Sequence, residues 1–160
     1  MEEKEEIKFE EYYKELSGKY ELPVLEKLEE DFEVSKFDKQ DRKFLARTMR
    51  RIMGEKIRAY SQFFEILISP SSPPIFIYSF LKNITPQQKE KIKEIYGELS
   101  KSQIILMKLD TIYSEKAEVE FINSFFKTWQ NLKKEVYGII EEIEKSSTKD
   151  SNVNKRSYLG

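Results

Sequence analysis

INSFFKTWQNLKKEVYGIIEEI, residues 122–143, sets an apolar side chain at Ile122, Phe125, Trp129, Leu132, Val136, Ile139 and Ile143. The steps alternate between three and four residues, the repeat of a helix that buries one stripe against a neighbouring helix. A strand would need alternation at every second residue, and none is present. Upstream, Thr85-Pro86-Gln87-Gln88 combines a capping threonine, a proline at the first helical position and a glutamine at the third. That is a capping box with a proline start. The helix it opens carries Ile92, Leu99, Leu106 and Tyr113 at intervals of seven, with Ile95 and Leu109 in the companion row. A break near Ser114 separates the two segments. They read as the antiparallel pair of one intramolecular bundle, or else as an exposed coiled coil that recruits a second chain.

The rest of the chain is also helical in pattern. Residues 5–17 carry Ile7, Phe9, Tyr12, Tyr13 and Leu16 on one face, with Gly18 as a stop. Pro23 suits the first turn of a short second helix, in which Val24, Leu25, Leu28 and Phe32 recur. Asp38 can cap a third helix running to Ile68, about 30 residues or roughly 45 Å long. Ser69-Pro70-Ser71-Ser72-Pro73-Pro74 then interrupts the chain. Ile75 to Leu81 is apolar on every side, which makes it a buried plug or an exposed apolar interface through Phe76, Tyr78 and Phe80. The predicted fold is all-α: two short N-terminal helices, a long basic amphipathic helix and a long antiparallel C-terminal pair. Residues 1–145 form a single domain in this reading. Residues 146–160 are polar and small, and are predicted to be a disordered tail.

Composition removes several function classes. The chain has no histidine and no cysteine, so it lacks the usual proton shuttle, thiol nucleophiles, disulfides and common zinc, haem and iron–sulfur ligands. No Gly-rich phosphate loop, GxSxG motif or metal-loop spacing of carboxylates occurs, so neither cofactor nor metal is expected. Charged residues make up 36% of the chain and Gly and Pro number five each, which favours long helices. The abundance of Lys, Glu and Ile is thermophile-like. Neither a membrane span nor a basic signal region is evident, which points to the cytoplasm.

A net charge of −1 hides a polarity. Residues 1–33 hold 5 Lys against 13 Asp or Glu, a net of −8, while residues 36–58 hold 9 Lys or Arg against 3 Asp or Glu, a net of +6. On the third helix Lys43, Arg47, Arg50, Arg51, Gly54 and Arg58 share an arc of about 100°. Leu45, Met49, Ile52, Met53, Tyr60, Phe64 and Leu67 lie opposite. The basic stripe either docks against the acidic N-terminal helices, meets an acidic protein partner, or tracks a phosphate backbone beside Gly54. Lys56 falls among the apolar residues by phase. There a lysine snorkels, pairs with a buried carboxylate, or serves catalysis through a depressed pKa.

One order of motifs is similar to a known family. Glu21-Leu22-Pro23 leading to Leu28-Glu29-Glu30-Asp31-Phe32, a long basic helix with Glu55-Lys56-Ile57, and Leu81-Lys82-Asn83-Ile84-Thr85-Pro86-Gln87-Gln88 together resemble the helical domain of archaeal GINS replication-complex subunits. The resemblance covers about residues 20–100 and implies a non-catalytic scaffold joining a replicative helicase to a nuclease-type partner. Met53 stands where that family carries an arginine, and the family's small β-rich domain has no counterpart. The function expected is a non-enzymatic scaffold or interaction subunit with protein partners, in a homo- or hetero-oligomer. Direct DNA or RNA binding through the basic face of residues 43–58 is the alternative. If the heptad stripe lines a core, Trp129→Ala should cost about 3–5 kcal/mol in denaturant unfolding. An unchanged melting curve would put that stripe in solvent.

Overall fold

The computed structural model describes residues 2–36 and 44–157. Among them the elements are six α-helices, α1 (Glu2–Lys19), α2 (Leu25–Phe32), α3 (Leu45–Ile68), α4 (Ile75–Lys82), α5 (Pro86–Thr111) and α6 (Glu115–Ser157). No strand occurs in the described residues. The fold is an all-α helical bundle. Packing groups the chain into two compact units, one of Met1–Ala59 and Lys101–Trp129, the other of Tyr60–Ser100 and Gln130–Gly160. Helices α3, α5 and α6 contribute residues to both.

In the first unit α1 buries Phe9, Tyr13 and Leu16, and α2 buries Leu28 and Phe32. Phe32 meets Phe125 and Trp129 of α6 with ring centroids 6.0 and 6.1 Å away. Met49, Met53 and Ile57 of α3 and Leu106 and Leu109 of α5 complete the core, at 6% exposure or less. Gly54 lets α3 approach α5: a Cβ there would lie 3.3 Å from a methyl of Leu106. The glycine serves helix packing rather than access for a phosphate.

Several boundaries differ from the sequence reading. Helix α1 continues through Gly18 to Lys19, with the Tyr20 amide still bonded to the Leu16 carbonyl at 2.9 Å. Pro23 precedes α2 instead of lying in its first turn, because Val24 takes the extended cap conformation. The Pro23 carbonyl accepts the Tyr13 hydroxyl at 2.6 Å, and burial pushes that phenol up to about 12. The Asp38 cap and Lys43 lie outside the described residues. Residues 146–157, predicted to be a disordered tail, continue α6. Extending an existing helix costs far less than nucleating one, and Thr148 keeps its hydroxyl on the Glu144 carbonyl at 2.9 Å.

In the second unit the capping box forms as the sequence predicts. The Thr85 amide donates to Gln88 Oε1 at 2.8 Å and the Gln88 amide to Thr85 Oγ1 at 3.2 Å. Ile92, Ile95 and Leu99 of α5 and Leu132, Val136, Ile139 and Ile143 of α6 are all buried. Gln88 Nε2 donates to Glu142 at 2.6 Å, placing the start of α5 beside the later part of α6. The two segments are therefore antiparallel. Phe64, Leu67, Ile77 and Phe80 close this core.

Helix α2 ends on Glu33 in the left-handed region (φ 50°, ψ 46°), with its amide on the Glu29 carbonyl. This is the only positive-φ residue among those described. Any Cβ is disfavoured there, and the Glu33 ion pair to Lys36 is exposed on both sides. Glu33→Gly should therefore raise stability by about 0.5–1 kcal/mol in denaturant unfolding. Lower stability would show that the Lys36 pair outweighs the strain.

Candidate functional site

The charges of α3 and the corner between α5 and α6 meet inside the first unit. Helix α6 begins after Ser114, whose hydroxyl accepts the Ala117 amide at 3.3 Å and whose carbonyl accepts the Glu118 amide. That cap rotates Glu118 into the row of Ile122 and Phe125, where it is fully buried. A carboxylate held there requires a cation and a full set of donors. Arg50 supplies them: Nε donates to Glu118 Oε2 at 2.6 Å and Nη2 to Oε1 at 3.1 Å, a two-point fork. Its Nη1 donates to Asp110 near the end of α5 at 2.7 Å. Arg50 therefore ties three helices together at 2% exposure.

Arg47 adds a weaker contact, its Nε 3.4 Å from Glu118. Its guanidinium lies 4.5 Å from the ring centre of Tyr113 and 5.9 Å from that of Phe44. Burial lowers the Arg50 pKa, but the hydrogen bonds to Glu118 and Asp110 more than offset it and leave it raised. The hydrogen bond from Arg50 holds the Asp110 carboxyl below the ordinary range. Its contribution to stability is thus present above the unfolded value of about 4 and is lost as pH falls from there through the depressed folded value.

The stripe therefore divides. Arg47 and Arg50 are committed to Glu118 and Asp110, whereas Arg51 and Arg58 face solvent. Docking of the stripe on the acidic N-terminal helices is not what occurs at Arg47 and Arg50. Asp110 and Glu118 escaped the sequence reading. The signal for Glu118 was its phase, four residues before Ile122 in the apolar row. Lys56 snorkels between Phe32 and Trp129, 5.2 and 4.6 Å from their ring centres. Its Nζ donates to the Asp31 carbonyl at 2.5 Å, satisfying one of the orphan carbonyls at the end of α2. That is a capping role.

The plug in the second unit is half right. Helix α4 buries Ile77, Ser79 and Phe80, so Phe80 belongs to the core and not to an interface. Phe76 and Tyr78 are 55% and 59% exposed, and Ile75 beside them is 92% exposed. Ile77 and Phe80 share a face that Ile75 and Tyr78 do not, whereas Phe76 lies on the Phe80 side one turn earlier, at the N-terminal end of α4. No group of three or more carboxylates among the described residues could hold a metal ion. No described helix is long and apolar enough to cross a membrane.

Comparison with known protein families, curated proteins and solved structures returns no match. The geometry of the chain itself therefore carries the reading of its function.

The charged corner yields a test of what Glu118 does. Removing one partner of a buried pair strands the other, so Arg50→Met or Glu118→Leu alone should cost about 3–5 kcal/mol. The combined Arg50→Met and Glu118→Leu variant should recover most of that loss in the same denaturant titration. Additive losses would mean that the two groups act separately.

Proposed function

We propose that this chain is a non-enzymatic scaffold or interaction subunit of an intracellular assembly. The observation that carries the reading is the outer face of α4. Ile75 and Tyr78 stand in solvent on the side of the helix away from buried Ile77 and Phe80, and Phe76 stands in solvent at its N-terminal end. Large apolar side chains held out on a rigid element suit a protein partner, because aromatic anchors lose little entropy on contact. Lys82 and the exposed Pro70 and Pro74 leave the rim polar and stiff.

The setting proposed is a nucleic-acid-associated complex of the replication type. Its support is the GINS-like order of motifs from Glu21 to Gln88, which also implies protein partners and no catalysis. Direct DNA or RNA binding is the weaker reading. Arg47 and Arg50 already hold carboxylates, which leaves Arg51 and Arg58 as the exposed arginines of the stripe.

Affinity purification from the source organism with the wild-type chain and with Phe76→Asp and Tyr78→Asp variants tests the proposal. Both positions are exposed, so melting temperatures should hold. The co-purifying protein should be reduced by about tenfold or more. Undiminished capture by both variants would exclude the α4 face as the contact. Steeply salt-dependent binding of duplex or single strands by the isolated wild-type protein would favour the nucleic-acid reading instead.

A further inference from the structure

The end of α5 is apolar on two sides. Leu106 and Leu109 face the first unit's core, while Ile104, Ile105, Met107 and Ile112 remain 46% to 78% exposed. The outer side of α5 borders a groove of about 480 Å³, floored by Leu109, Phe121 and Phe125 and walled by Ile105 and Ile112. Ser102, Ser124 and Thr128 are among the polar residues that also line it. Helix α3 contacts Leu106 from the core side, so this groove is the uncovered side of a helical hairpin.

The charges around it select the occupant. Lys108 of α5 and Glu120 of α6 line opposite walls of the same groove. The lining runs from Ser102 to Ile112 on one wall and from Ser114 to Thr128 on the other, so both charged residues lie close to its midpoint. A two-fold axis running along the groove, parallel to the two helices and between them, would set Lys108 of each copy against Glu120 of the other. Isologous contacts have this reciprocity, residue i on j and j on i. Glu120 is available for such a partner, since Lys116 holds it only at 3.9 Å in an exposed pair. We propose that the α5–α6 groove of the first unit is a homodimer interface in which a second copy of this chain docks its own hairpin, with Ile105 and Ile112 as apolar anchors and reciprocal Lys108–Glu120 pairs fixing the register.

The dimer does not depend on the α4 face, which belongs to the other unit, and Phe76→Asp should leave it intact. Sedimentation equilibrium of the full chain should give twice the 19.2 kDa chain mass at concentrations of about 1–100 μM, where interfaces of modest area associate. Ile112→Asp should abolish the dimer without lowering the melting temperature. Lys108→Glu and Glu120→Lys should each weaken it about tenfold, and the double charge swap should restore it. A monomer throughout the range would overturn the proposal and leave the groove to a different partner. So would a dimer that tolerates Ile112→Asp, or one that the charge swap fails to restore.

Discussion

A carboxylate with no solvent exposure, Glu118, must be met by a cation at a defined place, and Arg50 meets it with a two-point fork. That requirement sets the rotation of α3 about its axis and its register against the corner of α5 and α6. Because Asp110 shares the same guanidinium, the end of α5 is held with the start of α6. The apolar packing of Met49, Met53, Leu106 and Ile122 is compatible with several small slides, as hydrophobic contact is non-directional. A bidentate pair is not.

This use of charge reshapes the functional question. A basic helix suggests phosphate until its arginines are found bonded inward. Once Arg47 and Arg50 are counted with Glu118 and Asp110, the unusual parts of the described surface are apolar: Ile75, Phe76 and Tyr78 on α4, and Ile104, Ile105 and Met107 near the end of α5 with Ile112 just beyond it. Both groups belong to helices anchored in a core, by Ile77 and Phe80 in α4 and by Leu106 and Leu109 in α5. Exposed apolar groups on rigid supports favour association, since little conformational entropy remains to be lost on contact.

Much of this architecture could be read locally. The capping box at Thr85 and Gln88 appears in the structure as two reciprocal hydrogen bonds. The rows from Ile92 to Leu109 and from Ile122 to Ile143 are buried as their period requires. Lys56 was legible as a misfit in an apolar row, though not as the cap of α2. Boundaries were less legible. Gly18 did not stop α1, and Pro23 fell outside α2, because a single residue's propensity is smaller than the sum of contacts around a helix end.

The helices and their buried faces are thus properties of the chain in isolation, because periodicity and capping act over a few residues. Which partner each charge takes is a property of the assembled helices. Arg50 and Arg51 are neighbours on one basic arc, yet one is buried against Glu118 and the other faces water. Phe76 and Phe80 belong to one apolar run, yet one is exposed and the other is core. Nothing within a few residues distinguishes the members of either pair. The distinction comes from side chains that sequence separation hides, 68 residues away in the case of Arg50 and Glu118. Desolvation energies depend on that three-dimensional neighbourhood and not on local order along the chain.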